Sequence, residues 1–328
     1  MGSVNYQLLT NSRRTSFNDC SRKHFFSYEL GRRPLQKGEA LRFGSLMHKA
    51  LEIWWTQFSM IPVLEFFGSV KETDFNVYDI AKAKALMLAY DIKYYPTLSQ
   101  LKVIAVESEF RAPLINPVTS ADSRTWLLAG KLDVIIQDVQ GRYAIIEHKT
   151  SSEDLSPESD YWPRLSIDGQ ISGYYVGAEV MGYKCDYCIY DVIKKPMLRP
   201  CMATPEDQRK YTKAGALYAN QRLTDETVQE YQDRLIADIS DRPDHYFARR
   251  DVVRMQEDLV DYMYDMWACG REIREAQLAG RWPRNPNACK RYGMCEYFPV
   301  CTKVADIEDE CLFQTLDTLH PELELANS

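Results

Sequence analysis

The sequence predicts one α/β domain, a mixed β-sheet flanked by helices with helical insertions. Three observations lead there. The apolar spacing is helical up to about residue 95, becomes strand-like from residue 101, and returns to helical spacing after residue 205. The 328 residues hold no internal repeat and no low-complexity linker that would divide them. Hydrophobic residues make up 45% and charged residues 27%, the proportions of a chain that can build a sizeable core.

The elements follow in order. Residues 12–30 read as a short helix that opens with polar residues and contains Cys20. Residues 40–100 form a helical region. In it a helix over 45–58 repeats Met47, Leu51, Trp54 and Trp55 at helical spacing, and a second covers 76–95. Residues 101–195 carry the sheet. Residues 101–110 alternate as a strand, and 126–138 and 143–148 are β-rich runs joined by a turn at Gln140-Gly141. A helix over 167–182 and a strand over 187–193 follow, the strand stopped by Lys195-Pro196. Residues 205–301 read as helical to about 279 and end in a cysteine cluster. The tail, 302–328, ends in Glu322, Glu324 and polar residues and is expected to be loosely ordered.

The net charge of -7 argues against broad, non-specific phosphate binding, although a local basic groove can lie within an acidic total. No apolar run approaches bilayer length, so no membrane partner is expected. Arg13 and Arg14 are followed by no apolar stretch, which speaks against a secretory leader. Gly2 is followed at position 6 by Tyr6, where a myristoylation signal needs Ser or Thr. A cytoplasmic setting is the expectation, and there the nine cysteines point to metal rather than disulfides.

The informative segment is Gly130-Lys131-Leu132-Asp133 followed by Ile145-Ile146-Glu147-His148-Lys149-Thr150. Asp133 and Glu147 fall on opposite arms of a hairpin; a three-residue loop would set them directly across from each other, and a two- or four-residue loop would offset them by one. Strand period places Glu147 and Lys149 on one face. Two carboxylates so placed suit Mg²⁺ or Mn²⁺, with the backbone carbonyl of His148 as a further oxygen ligand. Lys149 can then orient or deprotonate a water and offset phosphoryl charge. Such a short motif is common, but here the carboxylates interrupt apolar runs, where a charge is costly without a partner.

Upstream, His48 shares a helix face with Met47, Leu51 and Trp55, and Gly44 one turn earlier suggests a close backbone approach. Downstream, Gln170 and Tyr174 share a helix face at i,i+4 spacing. Glu107 lies on the first strand and could approach the site, with a structural or surface role the simpler expectation. Taken together, Gly44/His48, Gly130/Asp133, Glu147/Lys149 and Gln170/Tyr174 resemble the ordered motifs of RecB-type nucleases of the PD-(D/E)XK superfamily. The resemblance implies a restriction-endonuclease-like core. It implies that His48, Asp133 and Glu147 bind metal and, with Lys149, make up the catalytic set. It implies that Gln170 and Tyr174 lie beside the site and help hold DNA.

Cys20, far upstream, and Cys289, Cys295 and Cys301 resemble the iron–sulfur subgroup of the same family, which includes AddB-like subunits and CRISPR-adaptation exonucleases. There one N-terminal and three C-terminal cysteines hold a [4Fe–4S] cluster, which would join the two ends of the chain. Common members space the first C-terminal pair C-x2-C, and this chain has C-x5-C. Zinc sites also usually start C-x2–4-C. The cluster is thus ranked first, zinc second and free thiols third. Cys185 and Cys188 read as core residues on a strand, facing opposite ways. Segments at 190–196 and 246–250 resemble phage and prophage members, so similarity runs from about 12 to 301 and implies a bacterial or phage-infected cell.

For DNA contact, Trp54, Trp55, Tyr94 and Tyr95 could stack on bases, with helix core the equal alternative for the tryptophans. Arg22, Lys23, Lys194, Lys195, Arg249 and Arg250 are candidate phosphate contacts. The expected activity is metal-dependent DNA hydrolysis, exonucleolytic, on single strands or DNA ends, in recombination, repair or phage DNA processing. The chain has no helicase motor, so unwinding would need a helicase or recombination partner. The alternatives are a structure-selective endonuclease and a nuclease-fold protein that only binds DNA or a recombination partner. A zinc-bound nucleic-acid module without catalysis is a third.

Overall fold

The alternating apolar residues of the middle third do build the sheet, which a computed structural model shows for residues 6–35, 38–71, 73–291 and 293–323. Gly2 and Glu324, read above, lie outside the described residues. The strands are β1 (Gln7–Leu9), β3 (Leu101–Ile115), β4 (Asp122–Asp138), β5 (Tyr143–Ser151), β6 (Cys185–Lys194) and β7 (Phe247–Val252). They form one mixed sheet, ordered β1-β4-β5-β6-β7, with β3 also on β4. A separate pair joins β2 (Arg32–Pro34) to β8 (Phe313–Thr315). The helices are α1 (Asn11–Asp19), α2 (Ser21–His24), α3 (Glu39–Gln57), α4 (Met60–Ser69), α5 (Val77–Tyr94), α6 (Gly169–Val180), α7 (Val228–Asp241), α8 (Pro243–Tyr246), α9 (Gln256–Ala279) and α10 (Phe298–Cys301).

The two sheet faces carry two cores. Val134, Ile136, Ala144 and Ile146 pack with α3, α5 and α7. Leu132, Ile135, Ile145 and Val192 pack with α6 and α9. Ile145 and Ile146 are both fully buried. Each stabilises the fold by roughly 1.5–3 kcal/mol, which helps β5 tolerate the charged residues that follow. Strand alternation would put Leu132 with Val134, yet it packs with Ile135, so β4 bends at Asp133.

Long β4 is shared. β3 runs along one edge of it, while the other pairs with β1 only to Leu128 and with β5 only from Val134. Residues 129–133, which include Gly130 and Asp133, therefore lie in a gap between two partner strands. The β4–β5 turn is the three-residue one: the Asp138 N–H donates to the Arg142 carbonyl at 2.9 Å. The register that pairs Val134 with Ile146 puts Asp133 across from Glu147.

Several expectations need correction. Cys20 is not inside a helix. Its extended backbone (φ -160°, ψ 111°) separates α1 from α2. α3 begins at Glu39 rather than 45, because Phe43, Leu46 and Met47 already pack inward on the same face. The region after 205 is not all helix. β7 interrupts it and completes the sheet, pairing Arg249 with Asp191. Nor is the tail loose as far as Leu323: β8 pairs with β2, and Phe313, His320 and Leu323 are buried. Cys185 and Cys188 both reach the α6–α9 core, because a register shift after Tyr143 re-aims the start of β6. No helix among the described residues is long and apolar enough to cross a membrane.

Candidate active site

The gap in β4 opens into a cavity of about 540 Å³, lined among others by His48, Glu107, Asp133, Glu147, Lys149 and Gln170. Each comes from a separate structural reason. α3 presents His48. The bend of β4 presents Asp133, whose Oδ2 lies 3.7 Å from His48 Nδ1 and accepts the His148 N–H at 2.8 Å. That bond replaces the next rung of the β4–β5 ladder. β5 alternation turns Glu147 and Lys149 to the cleft and the His148 ring away from it.

Glu147 is 1% exposed. It is ion-paired with Lys149 Nζ, and neither of its oxygens accepts a hydrogen bond of normal geometry. Lys149 Nζ also donates to Gln170 Oε1 at 2.9 Å, and Gln170 Nε2 donates to the Tyr174 hydroxyl at 2.6 Å. The Asp168 side chain caps α6, accepting the Gln170 and Ile171 N–H groups, and so fixes Gln170 in the first turn.

Glu107 reaches the site, against the simpler expectation of a structural or surface role. It sits in β3 between Val106↔Val134 and Ser108↔Leu132, opposite Asp133, with a left-handed backbone (φ 47°). A side-chain residue in that region is strained by about 1–3 kcal/mol, a cost that recurs at functional sites. Ligand atoms of His48, Glu107 and Asp133 all lie within 4.8 Å of one another. Glu107 Oε2 is also 2.5 Å from Lys131 Nζ. The acidic residue in the alternating run 106–109 was the only signal in the sequence; a positive φ at a glutamate has none.

The electrostatics are those of a cation site. Burial first, and the Asp133 carboxylate second, push both Glu147 and Glu107 up to about 7. Desolvation and the Lys149 cation push His48 down to about 4, although 35% of its side chain remains exposed. Burial opposes the Lys149 charge, yet Glu147 and Asp133 raise it above the ordinary lysine value. Burial and Glu147 raise Tyr174 far above its ordinary value, so its hydroxyl keeps its proton. Crowded carboxylates, an imidazole with an available lone pair and unmet acceptors on Glu147 fit a divalent cation with oxygen and nitrogen ligands.

The four predicted thiols also converge. Cys20, Cys289, Cys295 and Cys301 line one cavity of about 470 Å³. Cys20 Sγ accepts the Asn285 N–H at 3.4 Å. Among the described residues no three of these sulfurs gather within 4.8 Å of one another.

Of the candidate DNA contacts, the two tryptophans take the helix-core alternative and most of the others are engaged elsewhere. Trp54 and Trp55 are core residues, 0% and 1% exposed, and Tyr94 is buried; only Tyr95 is exposed. The basic candidates are mostly committed. Arg249 pairs with Asp191 and Lys195 with Glu39 and Asp79. Lys23 pairs with Glu296, Arg22 donates to the Trp282 carbonyl, and Arg250 to that of Pro157. Lys194 lines a different cavity, with His245 and Arg250. A Cβ on Gly44 would meet only Thr150 Oγ1 at 3.4 Å, so no close approach demands that glycine. Glu322 and Leu323 of the tail line the cleft, and Thr10 donates to Glu322 Oε1 at 2.6 Å.

The family model of the PD-(D/E)XK nuclease superfamily matches residues 9–302. A solved structure described as "Crystal structure of SSO0001" is similar at 14% identity with a TM-score of 0.31, covering 80% of this chain and 96% of that one. Among curated proteins, none matches the chain.

Proposed function

The chain belongs to the PD-(D/E)XK nuclease superfamily, and from that premise we propose that it is a Mg²⁺- or Mn²⁺-dependent deoxyribonuclease, an exonuclease acting on single-stranded DNA or DNA ends. The observation that carries this reading is the cleft itself, where Asp133, Glu147, Glu107 and His48 converge beside a lysine ion-paired to Glu147. His48, Asp133, Glu147 and the His148 carbonyl would hold the cation, with Glu107 as a further ligand. The chemistry supplied by such a cation is Lewis-acid activation of water and neutralisation of phosphate charge. Lys149, kept as an ammonium by Glu147 and Asp133, orients the attacking water and counters the charge that builds on the phosphoryl group. Gln170 holds the Lys149 ammonium, and Tyr174 holds Gln170.

The Cys20, Cys289, Cys295 and Cys301 set would hold a [4Fe–4S] cluster, as in the iron–sulfur subgroup. A brown protein absorbing near 400 nm supports this; a colourless one with stoichiometric zinc by elemental analysis opposes it. DNA in recombination, repair or phage DNA processing is the proposed target, and a helicase the partner that would deliver it.

The test is digestion of end-labelled linear and circular DNA, single- and double-stranded, with Mn²⁺. Wild type should remove linear single strands from an end, and Lys149→Ala should not. Cutting of circles would make it an endonuclease. No cutting at all would leave DNA or partner binding as its role.

A further inference from the structure

Glu147 and Lys149 face the cleft, and the residue between them faces the other way. The His148 ring is buried beneath the site strand, on the α3–α5 side. It meets a line of polar residues that runs across three strands. In register, His148 of β5 lies beside Asp191 of β6, and Asp191 beside Arg249 of β7. His148 Nδ1 is 3.0 Å from Asp191 Oδ2. Arg249 donates Nε to Asp191 Oδ1 at 2.9 Å and Nη2 to Oδ2 at 3.2 Å. The Tyr90 hydroxyl of α5 donates to Asp191 Oδ2 at 2.7 Å and accepts Arg249 Nη2 at 2.9 Å. Asp191 and Tyr90 are both 0% exposed.

A buried ion pair like this contributes little net stability, because removing the charges from water costs about as much as their attraction returns. Apolar side chains of similar volume would fill the space as well. What such a network supplies is a defined geometry: both Asp191 oxygens, the Tyr90 hydroxyl and the Arg249 guanidinium are bonded, while His148 Nε2 is buried without a hydrogen-bond partner. Its location gives that geometry a use. One peptide bond separates His148 from Glu147, and one from Lys149. The His148 N–H also donates to the Asp133 carboxylate. A shift of His148 therefore reaches three cleft residues at once. The network also touches the helix that carries His48: the His148 and Trp55 rings lie 5.9 Å apart, and Tyr90 meets Trp54 edge-on at 5.2 Å.

We propose that the His148–Asp191–Arg249 line, completed by Tyr90, is a positioning network that sets β5 so that Glu147, Lys149 and Asp133 converge on one cation and one phosphate. None of its side chains touches substrate, and the inference rests on the nuclease reading of the cleft. It gives Arg249 an internal role in place of a phosphate contact.

The test uses the full chain and two variants. Asp191→Asn/Arg249→Met removes the carboxylate and its cation together, so no unpaired charge is left buried. Tyr90→Phe removes one hydroxyl and keeps the ring. Mn²⁺ affinity is measured by electron paramagnetic resonance, and kcat and KM on an end-labelled single-stranded oligonucleotide. Small displacements of reacting groups cost on the order of a hundredfold in rate. The double variant should bind Mn²⁺ about tenfold more weakly and lose about 10–100-fold in kcat, with KM within about twofold. Tyr90→Phe should lose about two- to fivefold in kcat by the same reasoning. Wild-type Mn²⁺ affinity and kcat in a folded variant overturn the proposal, as does a raised KM with kcat retained. If the double variant does not fold, Tyr90→Phe decides alone. If wild type binds Mn²⁺ but cuts nothing, the nuclease reading falls, and the variants' Mn²⁺ affinities still decide the positioning claim.

Discussion

Lys149 has two partners, and they ask different things of it. The Glu147 carboxylate holds its charge, while Gln170 Oε1, at 2.9 Å, fixes where that charge points. Gln170 itself is steered by the Tyr174 hydroxyl. The family resemblance implies that Gln170 and Tyr174 help hold DNA; the geometry gives Gln170 a role in aiming the lysine as well. The two roles separate in the kinetics. Gln170→Met keeps the length of the side chain and removes the acceptor. If aiming dominates, kcat should fall about tenfold with KM within about twofold, since only a transition-state interaction is lost. A KM that rises tenfold with kcat retained would instead assign Gln170 to DNA. Steady-state assays on a labelled single strand read both.

The elements are held in place by one aromatic ring. Phe110 of β3 fills the space that a Cβ would need at Gly130 of β4, 2.6 Å from its ring, and at Gly177 of α6, 2.4 Å away. α6 therefore lies close on the sheet and carries Gln170 and Tyr174 to the cleft. Gly177→Ala should destabilise the protein by about 1–3 kcal/mol, as overpacking does. Phe110→Leu in the same chain should recover part of that loss. Thermal melts check both, and additive losses would show that the ring is not the obstacle. Some of this architecture could be read in the sequence. The hairpin was legible because strongly apolar β runs flank a three-residue loop, and α6 because its apolar spacing is helical. Gly130 carried a motif but not its reason, since Phe110 is 20 positions away. β7 is not legible in the sequence, because Phe247–Val252 holds two arginines and an aspartate and reads as solvated. Its Arg249 is engaged by Asp191, 58 positions earlier, a pairing that no local pattern announces. α4 went unnoticed among the apolar residues of 60–69. The left-handed backbone of Glu107 has no local signature at a glutamate, and the group with His48 and Asp133 is not complete without it.

On the scale of the whole molecule, the two ends are brought together beside the cleft. Residues 302–328 carry seven carboxylates against one lysine, so all but one unit of the -7 net charge lies in the tail. The rest of the chain is close to neutral, although Glu322 of the tail lines the cleft and keeps one of those carboxylates there. The tail returns along β2, and Glu322 reaches Thr10. Nearby, the Arg22 N–H donates to the Pro283 carbonyl at 3.0 Å, and Asn285 Nδ2 to that of Asp19 at 2.8 Å. A cluster on Cys20, Cys289, Cys295 and Cys301 would make this junction covalent. Closing a loop of this length restricts the unfolded chain by on the order of 5 kcal/mol. None of Glu147, Lys149, Asp133 or Gln170 belongs to the junction. The cluster should then set stability without setting chemistry. Cys20→Ser should abolish absorbance near 400 nm and lower the apparent Tm by about 5–10 °C, given the usual few degrees per kcal/mol. Its initial cleavage rate at 25 °C should stay within about threefold of wild type, because the cleft residues keep their supports. Lost cleavage at an unchanged Tm would place the cysteines in substrate handling. An unchanged Tm with unchanged cleavage would mean that the hydrogen bonds at Arg22 and Asn285 and the β2–β8 pair hold the ends together unaided.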